Sequence, residues 1–451
     1  MSSTSTIAII GGGWAGLSAA TRLADSGAKV MLFERARGLG GRMGSFYDPR
    51  FDEWLDNGNH LFIGAYRSAR DLLHIWGADE GLRFEPHLHL PWMSGDGKIY
   101  DFRLKAGRIG SALAVLGFKG LTVRDRWRAA RGFGALQRAA LNLPALEPTV
   151  ADYLARFGLK TDGCNGLFEA LTLAVMNAAP SIAGLYPLAR AVKTGLLSGA
   201  ADGGLGFPLK PFKQLYIDAA AAYLAAHNVD IHLNNPVESL KIDNHNRLVG
   251  IVSQGAAYTV DAVISTLQPV DLLTWLPARV RTDPFFNRLN KLKYSPIIAV
   301  HLVFDRPVIK ERFGFFAGGH RLHWIFGRGE PEAGGWSKIS TIFSYAFELY
   351  GRSMSDIVAG ALDELRRRLP QERSFRVLHS RAVVNRRATV ILEPGSDSLR
   401  LPVETPVKGL FLAGDWTATG LPATVESAAR SGTIAAEAAR SLVMRDERCQ
   451  A

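Results

Sequence analysis

Short apolar runs alternate with glycine-rich turns near the start of the chain. The run TIAII (6–10) leads directly into glycines, and LSAATRLADSG (17–27) and KVMLFE (29–34) follow. A short apolar run bounded by glycine predicts a buried strand, whereas apolar residues recurring every three or four positions predict a helix. This segment therefore predicts a strand, a tight turn, a helix and a second strand.

Three later segments show similar patterning. Residues 202–242 predict a glycine loop, an alanine-rich helix and a strand, and residues 258–269 predict a strand leading into a loop. Residues 409–439 predict a strand, a loop and a helix of small residues. Strands that alternate with helices are typical of the α/β class.

Length and composition limit the architecture. A chain of 451 residues exceeds one ordinary hydrophobic core, so two domains are expected. The longest apolar runs, such as SPIIAVHLVF (295–304), are far shorter than the ~20 residues of a membrane-spanning helix. No signal segment is expected at the start. We expect a cytoplasmic protein, or one that contacts the inner face of the cell membrane without crossing it.

The formal net charge of +11 would suit nucleic acid, anionic lipid or a phosphorylated ligand. No zinc knuckle, helix-turn-helix or aromatic-basic RNA motif accompanies the charge, so nucleic acid is not an expected partner. The two cysteines, Cys164 and Cys449, do not have the spacing of metal ligands, and no metal site is predicted.

The glycines after the first strand form the pattern G-x-G-x-x-G. Gly11 permits a sharp turn, Gly13 lets the backbone approach a pyrophosphate, and Gly16 lets the helix pack close to the strand. The helix begins near Trp14 and Ala15, where free amides and the helix dipole favour phosphate. This pattern predicts a dinucleotide site.

An acidic residue and a second glycine patch indicate which dinucleotide binds. Glu34 ends the second strand, where its carboxylate can accept hydrogen bonds from the adenosine ribose and repel a 2′-phosphate. Gly40 and Gly41 would let a loop fold back over the phosphates, and Arg42 would supply a cation. A nicotinamide dehydrogenase does not need this second patch, so FAD is the predicted cofactor.

The stretch ERARGLGGR (34–42) resembles the E-A-R-x-x-x-G-G-R pattern of the FAD-containing amine oxidase and phytoene desaturase superfamily. Ala36 stands where many members carry arginine, so either Arg35 or Arg37 is expected to meet the pyrophosphate. The resemblance implies an α/β fold: a Rossmann-type FAD-binding domain of the glutathione reductase-like, amine oxidase type, with an interleaved α+β substrate domain.

The C-terminal block extends this resemblance. In the superfamily an acidic residue after a glycine holds a ribityl hydroxyl, a pattern that Gly414 and Asp415 match. The next helix directs its N-terminus at the flavin N1–C2=O edge, where reduction builds negative charge. The helix start expected to bind the cofactor comprises Ala423, Thr424 and Val425. Backbone at the position of Val237 is implied to meet the adenine.

These blocks imply a discontinuous FAD-binding domain. We predict that it comprises residues 1–80, 200–270 and 395–451. Residues 81–199 and 271–394 would then form the substrate-binding domain over the flavin.

Two segments resemble the squalene-associated FAD enzymes, which are hydroxysqualene dehydroxylases. These are residues 51–78, with a D-x-G-Q-H-L-like sequence, and residues 386–432. The resemblance implies that the first segment passes beside the flavin, with Asn57, Gly58 and Asn59 among its cofactor contacts and Asn59 at a position where glutamine is usual. His60 is our candidate for proton handling, because an imidazole titrating near neutrality suits a general acid. A structural histidine is the alternative.

The narrower resemblance implies a long apolar isoprenoid substrate, hydroxysqualene. Loss of the protonated allylic hydroxyl would give a cation that aromatic rings can stabilise, and hydride from reduced flavin would give squalene for hopanoid synthesis. The electron donor is not predicted. Each candidate cavity residue could instead be ordinary core; the candidates are Trp92, Phe102, Phe168, Tyr186, Phe315, Phe316, Trp324 and Phe343.

Two other function classes fit the same residues. A desaturase or flavin amine oxidase would use the same cofactor but remove hydride from its substrate. A non-catalytic isoprenoid carrier with a flavin fold is the third possibility, although such carriers have typically lost elements of the flavin site.

The segment 105–131 combines apolar and basic residues. LAVLGFKGL (113–121) lies between basic clusters, and this arrangement suits contact with an anionic membrane from which an apolar substrate would enter. An ordinary surface helix is the alternative. The cations are Lys105, Arg108, Arg124, Arg126, Arg128 and Arg131.

Overall fold

A computed structural model describes most of the chain. The described residues are 5–94, 98–104, 108–159, 165–196, 199, 201–317, 322–369 and 374–450. Lys105 and Cys164 lie outside these residues, and so does part of each predicted domain.

A five-stranded parallel sheet gathers strands from three separate stretches of the chain. In spatial order its strands span Asp230–His232, Lys29–Phe33, Thr6–Ile10, Ala262–Ser265 and Leu410–Leu412. All side chains of Ile7–Ile10 are buried, because helices pack on one face of the sheet and the antiparallel strands of residues 237–259 pack on the other. The strands are β1 Thr6–Ile10, β2 Lys29–Phe33, β10 Asp230–His232, β14 Ala262–Ser265 and β20 Leu410–Leu412.

Two helices pack unusually close together beside this sheet. Helix α1 spans Trp14–Leu23 and helix α13 spans Val425–Gln450. A Cβ atom at Gly432 would lie only 2.2 Å from the carbonyl oxygen of Ala15, so glycine is needed for the close approach. The Ser18 hydroxyl also donates to the Ala429 carbonyl at 2.6 Å. The N-terminal and C-terminal flavin blocks are thereby joined.

A seven-stranded sheet forms the other large layer. Its order is β19-β15-β18-β17-β16-β7-β8, with mostly antiparallel pairing and one parallel pair between β16 and β7. The apolar run at 295–304 lies in its long strand β15. The strands are β7 Leu88–Met93, β8 Ile99–Leu104, β15 Tyr294–Phe304, β16 Phe313–Phe316, β17 Trp324–Gly327, β18 Lys338–Ser344 and β19 Val377–Val390.

Smaller sheets and helices complete the fold. The remaining strands are β3 Ser45–Asp48, β4 Glu53–Asp56, β5 Phe62–Ile63, β6 Leu82–Phe84, β9 Leu205–Pro208, β11 Val237–Ile242, β12 Leu248–Ser253 and β13 Ala256–Thr259. The remaining helices are α2 Arg67–Ile75, α3 Arg108–Gly117, α4 Val123–Leu141, α5 Val150–Ala155, α6 Asn165–Met176, α7 Leu185–Leu196, α8 Asp218–Ala226, α9 Pro269–Trp275, α10 Ala278–Arg281, α11 Pro284–Asn287 and α12 Met354–Arg368.

The predicted α/β class is confirmed, with two local differences. Residues 258–269 contain parts of two strands rather than one, because β13 pairs antiparallel with β12 while β14 joins the parallel sheet. The C-terminal helix continues past residue 439 to Gln450. None of the described helices is both long and apolar enough to cross a bilayer. The domain boundaries stay a prediction.

Candidate flavin-binding site

The candidate site lies where parallel strands end. Gly11 follows β1, Glu34 follows β2, Thr266 follows β14 and Gly414 follows the Leu410–Leu412 strand after one residue. The carboxyl ends of parallel strands meet at one edge of the sheet, where open α/β folds bind their ligands. Four segments that are distant in sequence therefore converge here.

The first glycine turn is sterically dependent on glycine. Gly11 has φ +103°, and a Cβ atom there would lie 2.4 Å from Oγ1 of Thr266. A Cβ atom at Gly16 would lie 1.8 Å from the Gly11 carbonyl oxygen. Helix α1 begins at Trp14 with Gly13 as its N-cap, and its first intrahelical hydrogen bond runs from the Leu17 amide to the Gly13 carbonyl, so the amides of Trp14, Ala15 and Gly16 have no acceptor within the helix. The amides at this helix terminus can donate hydrogen bonds to a phosphate.

Glu34 is held at the edge of the site by backbone amides. Its carboxylate is buried and accepts hydrogen bonds from the amides of Gly12 at 2.7 Å and Ala36 at 2.8 Å. Each carboxylate oxygen thus has one protein donor and retains a lone pair for another. Val237 begins strand β11 two residues after Asn235, whose amide donates to the Glu34 carbonyl at 2.9 Å. We did not predict the role of Gly12 from the sequence.

The second glycine patch folds onto the first. The Gly40 amide donates to the Gly12 carbonyl at 2.8 Å, and a Cβ atom at Gly41 would lie 3.3 Å from Cα of Gly13. Asn57 supports this loop, because its side-chain amide donates to the Gly41 carbonyl at 3.1 Å. The two glycine loops therefore form one surface. The connecting segment leaves both Arg35 and Arg37 exposed.

Arg42 and Asp415 form an ion pair between residues 373 positions apart. The guanidinium donates to the two carboxylate oxygens at 2.6 and 2.8 Å, and it also donates to the Ala388 carbonyl at 2.7 Å. Burial by itself would lower the pKa of the Arg42 guanidinium. The negative charge of Asp415 and its hydrogen bonds to Arg42 have a larger combined effect, so the pKa is raised. The sequence analysis predicted that Arg42 contacts the pyrophosphate and, separately, that Asp415 contacts the ribityl chain. Those roles stay predictions.

The loop after β20 is organised by a buried arginine that the sequence analysis missed. Arg400 donates to the carbonyls of Asp415 at 3.1 Å, Trp416 at 3.3 Å and Leu421 at 2.6 Å. Gly414 itself has φ +140°, which favours glycine. The sequence offered one sign of this role, namely that Arg400 lies within the C-terminal block that resembles the flavin enzymes. Arg400 therefore fixes the backbone between Asp415 and helix α13.

A carboxylate connects the starts of α2 and α13. Glu426, the second residue of α13, accepts hydrogen bonds from the amides of Ser68 at 2.9 Å and Ala69 at 3.0 Å. These amides belong to the first turn of α2, where orphan donors need an acceptor. Ala423 and Thr424 directly precede α13, and Val425 is its first residue. The predicted flavin-facing helix end is thus fixed to the segment that contains His60.

The expectation that His60 titrates near neutrality is not met. Burial and, to a smaller extent, the neighbouring Arg42 charge lower the pKa of its imidazole to about 4. The ring lies 5.9 Å from the Phe212 ring, centroid to centroid. His60 is therefore neutral at pH 7, so protonated imidazole is not the resting form. A role for His60 in proton handling stays a prediction.

Asp56 and Asn59, which lie close to His60 in the sequence, have polar atoms that are shielded from solvent. Asp56 accepts hydrogen bonds from the Ser45 hydroxyl at 2.6 Å and the Phe212 amide at 2.9 Å, and burial raises its pKa to about 6. Oδ1 of Asn59 is shielded from solvent and has no hydrogen-bond partner among the described residues. It can accept a hydrogen bond from a bound group. No atom of the described segments lies within 4 Å of a Cβ atom built at Gly58, so these segments do not require glycine there.

His301 connects the seven-stranded sheet to this segment. One ring nitrogen lies 3.0 Å from the Asp56 carbonyl and the other lies 2.7 Å from the Ser340 hydroxyl. Since a carbonyl can only accept, Nε2 carries the proton and Nδ1 accepts from Ser340. Burial, followed by the Arg328 charge, lowers the pKa of His301 to about 3.

We expect His301 to make the protein less stable in acid. The unfolded imidazole binds a proton below about pH 6.5 while the folded one does not, so stability falls as the pH decreases from 6.5 towards 3. At pH 5 this loss is about 2 kcal/mol. Asp56 acts in the opposite direction, because its raised pKa favours the folded state below pH 6.

Urea unfolding of the wild type and His301→Gln at pH 7.5 and 5 isolates this effect, because Asp56 is common to both. Glutamine can retain both hydrogen bonds without titrating. His74→Gln is the control. Asp79 raises the pKa of this exposed histidine, so His74 does not cause the loss of stability in acid, and His74→Gln should still show that loss. Equal pH dependence in wild type and His301→Gln would contradict the assignment.

Most of the candidate cavity aromatics lie in the core. Trp92, Phe102, Phe168, Phe315, Phe316 and Phe343 are all buried, whereas Tyr186 and Trp324 are half-buried. Trp92 and Phe315 pack with ring centroids 5.2 Å apart, and Trp324 packs on Phe315 at 4.9 Å. Tyr186 and Trp324 are therefore the members with surface available to a ligand.

Comparison with known proteins agrees with this geometry. Residues 14–440 match the family described as flavin containing amine oxidoreductase. The chain belongs to this family. A flavin cofactor and an oxidoreductase activity follow from membership, as the glycine turns and the α13 terminus led us to expect.

Individual relatives are isoprenoid enzymes. A 15-cis-phytoene desaturase of Glycine max is 26% identical over 96% of this chain and 79% of that protein. A hydroxysqualene dehydroxylase of Sinorhizobium fredii is 26% identical over 96% of this chain and 98% of its own length. Among solved structures, a putative protoporphyrinogen oxidase from Exiguobacterium has a TM-score of 0.73 at 16% identity, covering 98% of this chain and 99% of that one. The last likeness concerns the fold alone.

Proposed function

We propose that this protein is an FAD-dependent oxidoreductase that reduces hydroxysqualene to squalene. The observation that carries the proposal is the contact between the two segments that resemble squalene-associated enzymes. Residues 51–78 and 386–432 meet at the candidate flavin site, where Glu426 accepts hydrogen bonds from the amides of Ser68 and Ala69. The near full-length match to a hydroxysqualene dehydroxylase supports the same choice.

The residues at the site fit FAD. Gly13 and Gly41 pack backbone against backbone at the start of α1, and neither adds a side chain that would cover the surface proposed to bind the pyrophosphate. Glu34 has lone pairs for ribose hydroxyls, and Asn59 offers a buried oxygen that no group in the described part of the chain donates to. Arg42 and Asp415 would hold the pyrophosphate and the ribityl chain, respectively. A 2′-phosphate would be repelled by Glu34.

In the proposed reaction the allylic C–O bond breaks and a hydride forms the new C–H bond, while the hydroxyl takes up one proton that comes from solvent and leaves as water. Reduced flavin supplies the hydride when bound. Because neutral His60 has one N–H group, we propose that it donates a hydrogen bond to the departing hydroxyl rather than acting as a resting imidazolium. Asp56 and His301 hold the segment that carries His60, and aromatic side chains would exclude water.

A carotenoid or phytoene-type desaturation is the second candidate. Phytoene desaturases recur among the relatives, and that of Synechococcus elongatus is matched over 95% of its length. Amine oxidation is a third possible use of the same site. A non-catalytic isoprenoid carrier is less well supported, because Glu34, Arg42 and Asp415 are all retained and structurally engaged.

Product analysis distinguishes these functions. The photoreduced, FAD-loaded protein is incubated anaerobically with hydroxysqualene, and the oxidised protein is incubated separately with phytoene. Squalene from the first reaction supports the dehydroxylase, whereas desaturated phytoene without squalene overturns it. A purified protein without flavin would favour the carrier.

We also propose a cytoplasmic protein that contacts the inner face of the cell membrane. The proposal suits a long isoprenoid alcohol as substrate and a hydrocarbon as product, since both partition into lipid.

A further inference from the structure

Besides Leu141 at the end of α4, the hairpin formed by α3 and α4 exposes four large apolar side chains. Ile109 and Leu113 on α3 are 78% and 64% exposed, and Val123 and Trp127 on α4 are 67% and 63% exposed. Each pair is separated by four residues, so its members share one face of their helix. Scattered single apolar residues are common on surfaces, whereas two such pairs on adjoining helices indicate an interaction site.

The hairpin itself is firmly attached to the protein. The helices pack together and are joined by the five residues 118–122, of which Phe118 and Leu121 are buried. The Phe118 ring contacts Trp92 and Phe102 edge-on, at centroid distances of 5.6 and 5.1 Å. The inner face is therefore committed to the core beside the seven-stranded sheet. In the described part of the hairpin, the outer face that carries Ile109, Leu113, Val123 and Trp127 is available to a partner.

Cations accompany these apolar residues. Lys119, Arg124 and Arg131 are exposed, and Arg124 and Arg131 lie three residues before and four residues after Trp127. This combination of tryptophan, aliphatic side chains and basic residues suits the interface between anionic headgroups and acyl chains. A twofold dimer through the same face would bring like charges together, because such an interface pairs each patch with its own copy.

We propose that the outer face of the α3–α4 hairpin docks on an anionic lipid bilayer, with Ile109, Leu113, Val123 and Trp127 entering the interfacial region. This inference deepens the proposed membrane contact and does not depend on which isoprenoid reaction the protein performs. The buried aromatic contacts of Phe118 place the docked hairpin directly against the core that contains Trp92 and Phe315. An apolar substrate arriving from lipid would reach the protein on this side.

The structure also identifies which cations to replace. Arg126 donates to the Leu121 carbonyl at 3.0 Å, and Arg128 lies 3.5 Å from Asp125, so both have local structural contacts. Replacing Arg126 or Arg128 could reduce vesicle binding by disturbing the fold of the hairpin as well as by removing a charge, and the assay would not separate the two effects. Lys119, Arg124 and Arg131 are the better choice.

The test is flotation of the FAD-loaded protein with vesicles of phosphatidylcholine, with or without phosphatidylglycerol. We expect the wild type to bind the anionic vesicles. Lys119→Glu/Arg124→Glu/Arg131→Glu should weaken this binding by about a hundredfold or more, since each cation near a charged leaflet contributes about fivefold. Leu113→Asp/Trp127→Ala should weaken it as well and leave a salt-sensitive remainder.

Matched controls separate surface position from composition. Lys241→Glu/Lys291→Glu/Arg440→Glu makes the same change in net charge with exposed residues on other elements, and Val249→Asp replaces an exposed apolar residue on β12. Both should bind vesicles like the wild type. Flavin absorbance and the thermal midpoint report whether each variant is folded.

Undiminished vesicle binding by folded hairpin variants would overturn the proposal. So would a wild-type dimer that becomes monomeric in Trp127→Ala without any vesicle binding, because the face would then contact a second copy. Absence of squalene formation with normal vesicle binding would contradict only the proposed reaction. The two failures are therefore distinguishable.

Discussion

Replacing Arg42 with methionine is expected to lower the free energy of unfolding of the flavin-free protein by about 3 kcal/mol. The substitution leaves the Asp415 carboxylate, whose side chain is only 7% exposed, without the two charged donors that it has in the wild type. Removing one member of a buried ion pair typically costs about 3–5 kcal/mol. We expect the lower end because the Arg42 side chain is 34% exposed.

Urea unfolding measures this loss, and two further variants interpret it. Arg42→Met/Asp415→Leu removes the unpaired charge and should be more stable than Arg42→Met alone. Arg366→Met removes a partner from an exposed ion pair with Asp363 and should change stability by no more than about 1 kcal/mol. Similar losses for Arg42→Met and Arg366→Met would show that the Arg42–Asp415 pair is not important for the fold.

Replacing Glu34 with glutamine is expected to weaken FAD binding by roughly ten- to a hundredfold. Loss of a charged hydrogen bond costs about 1.5–3 kcal/mol, which corresponds to this range. The geometry adds a second reason. Both carboxylate oxygens accept from backbone amides, so the NH₂ group of glutamine must face either the Gly12 or the Ala36 donor.

Flavin retention on dilution and fluorescence titration of the flavin-free protein measure the affinity. Glu80→Gln, on an exposed turn, makes the same chemical change away from the site and should bind FAD normally. Glu34→Asp keeps the charge with a shorter side chain, so it should recover part of the loss. Unchanged affinity of Glu34→Gln would mean that Glu34 is not the ribose ligand.

Much of the fold was predictable because its signals are local. The apolar run of β1, the positive φ of Gly11 and the close packing of Gly16 concern neighbouring residues, so a short sequence window contains them. The acidic end of β2 is equally local. Resemblance then assigned the C-terminal block to the same site, and the contact between α1 and α13 agrees with that assignment.

Contacts between distant residues were not predictable in the same way. Nothing in the sequence indicates that Arg42 meets Asp415, that Arg400 fixes the loop after β20, or that Glu426 accepts hydrogen bonds from α2. The lowered pKa of His60 is a similar case. Desolvation depends on every segment that surrounds a side chain, so an imidazole that suits an acid by its ordinary pKa becomes a neutral one when buried.

The α3–α4 hairpin shows where the division lies. The sequence by itself determined that residues 113–131 mix apolar and basic side chains, and local patterning determined the strands and glycine turns of the flavin site. Residues 124–141 have no clean apolar stripe, since α4 contacts both α3 and α7 and buries residues on more than one side. Only the tertiary structure decided that Phe118 faces the core and Trp127 faces outward. Burial is a property of the packed chain, and a helical period cannot specify which of two apolar faces finds a partner.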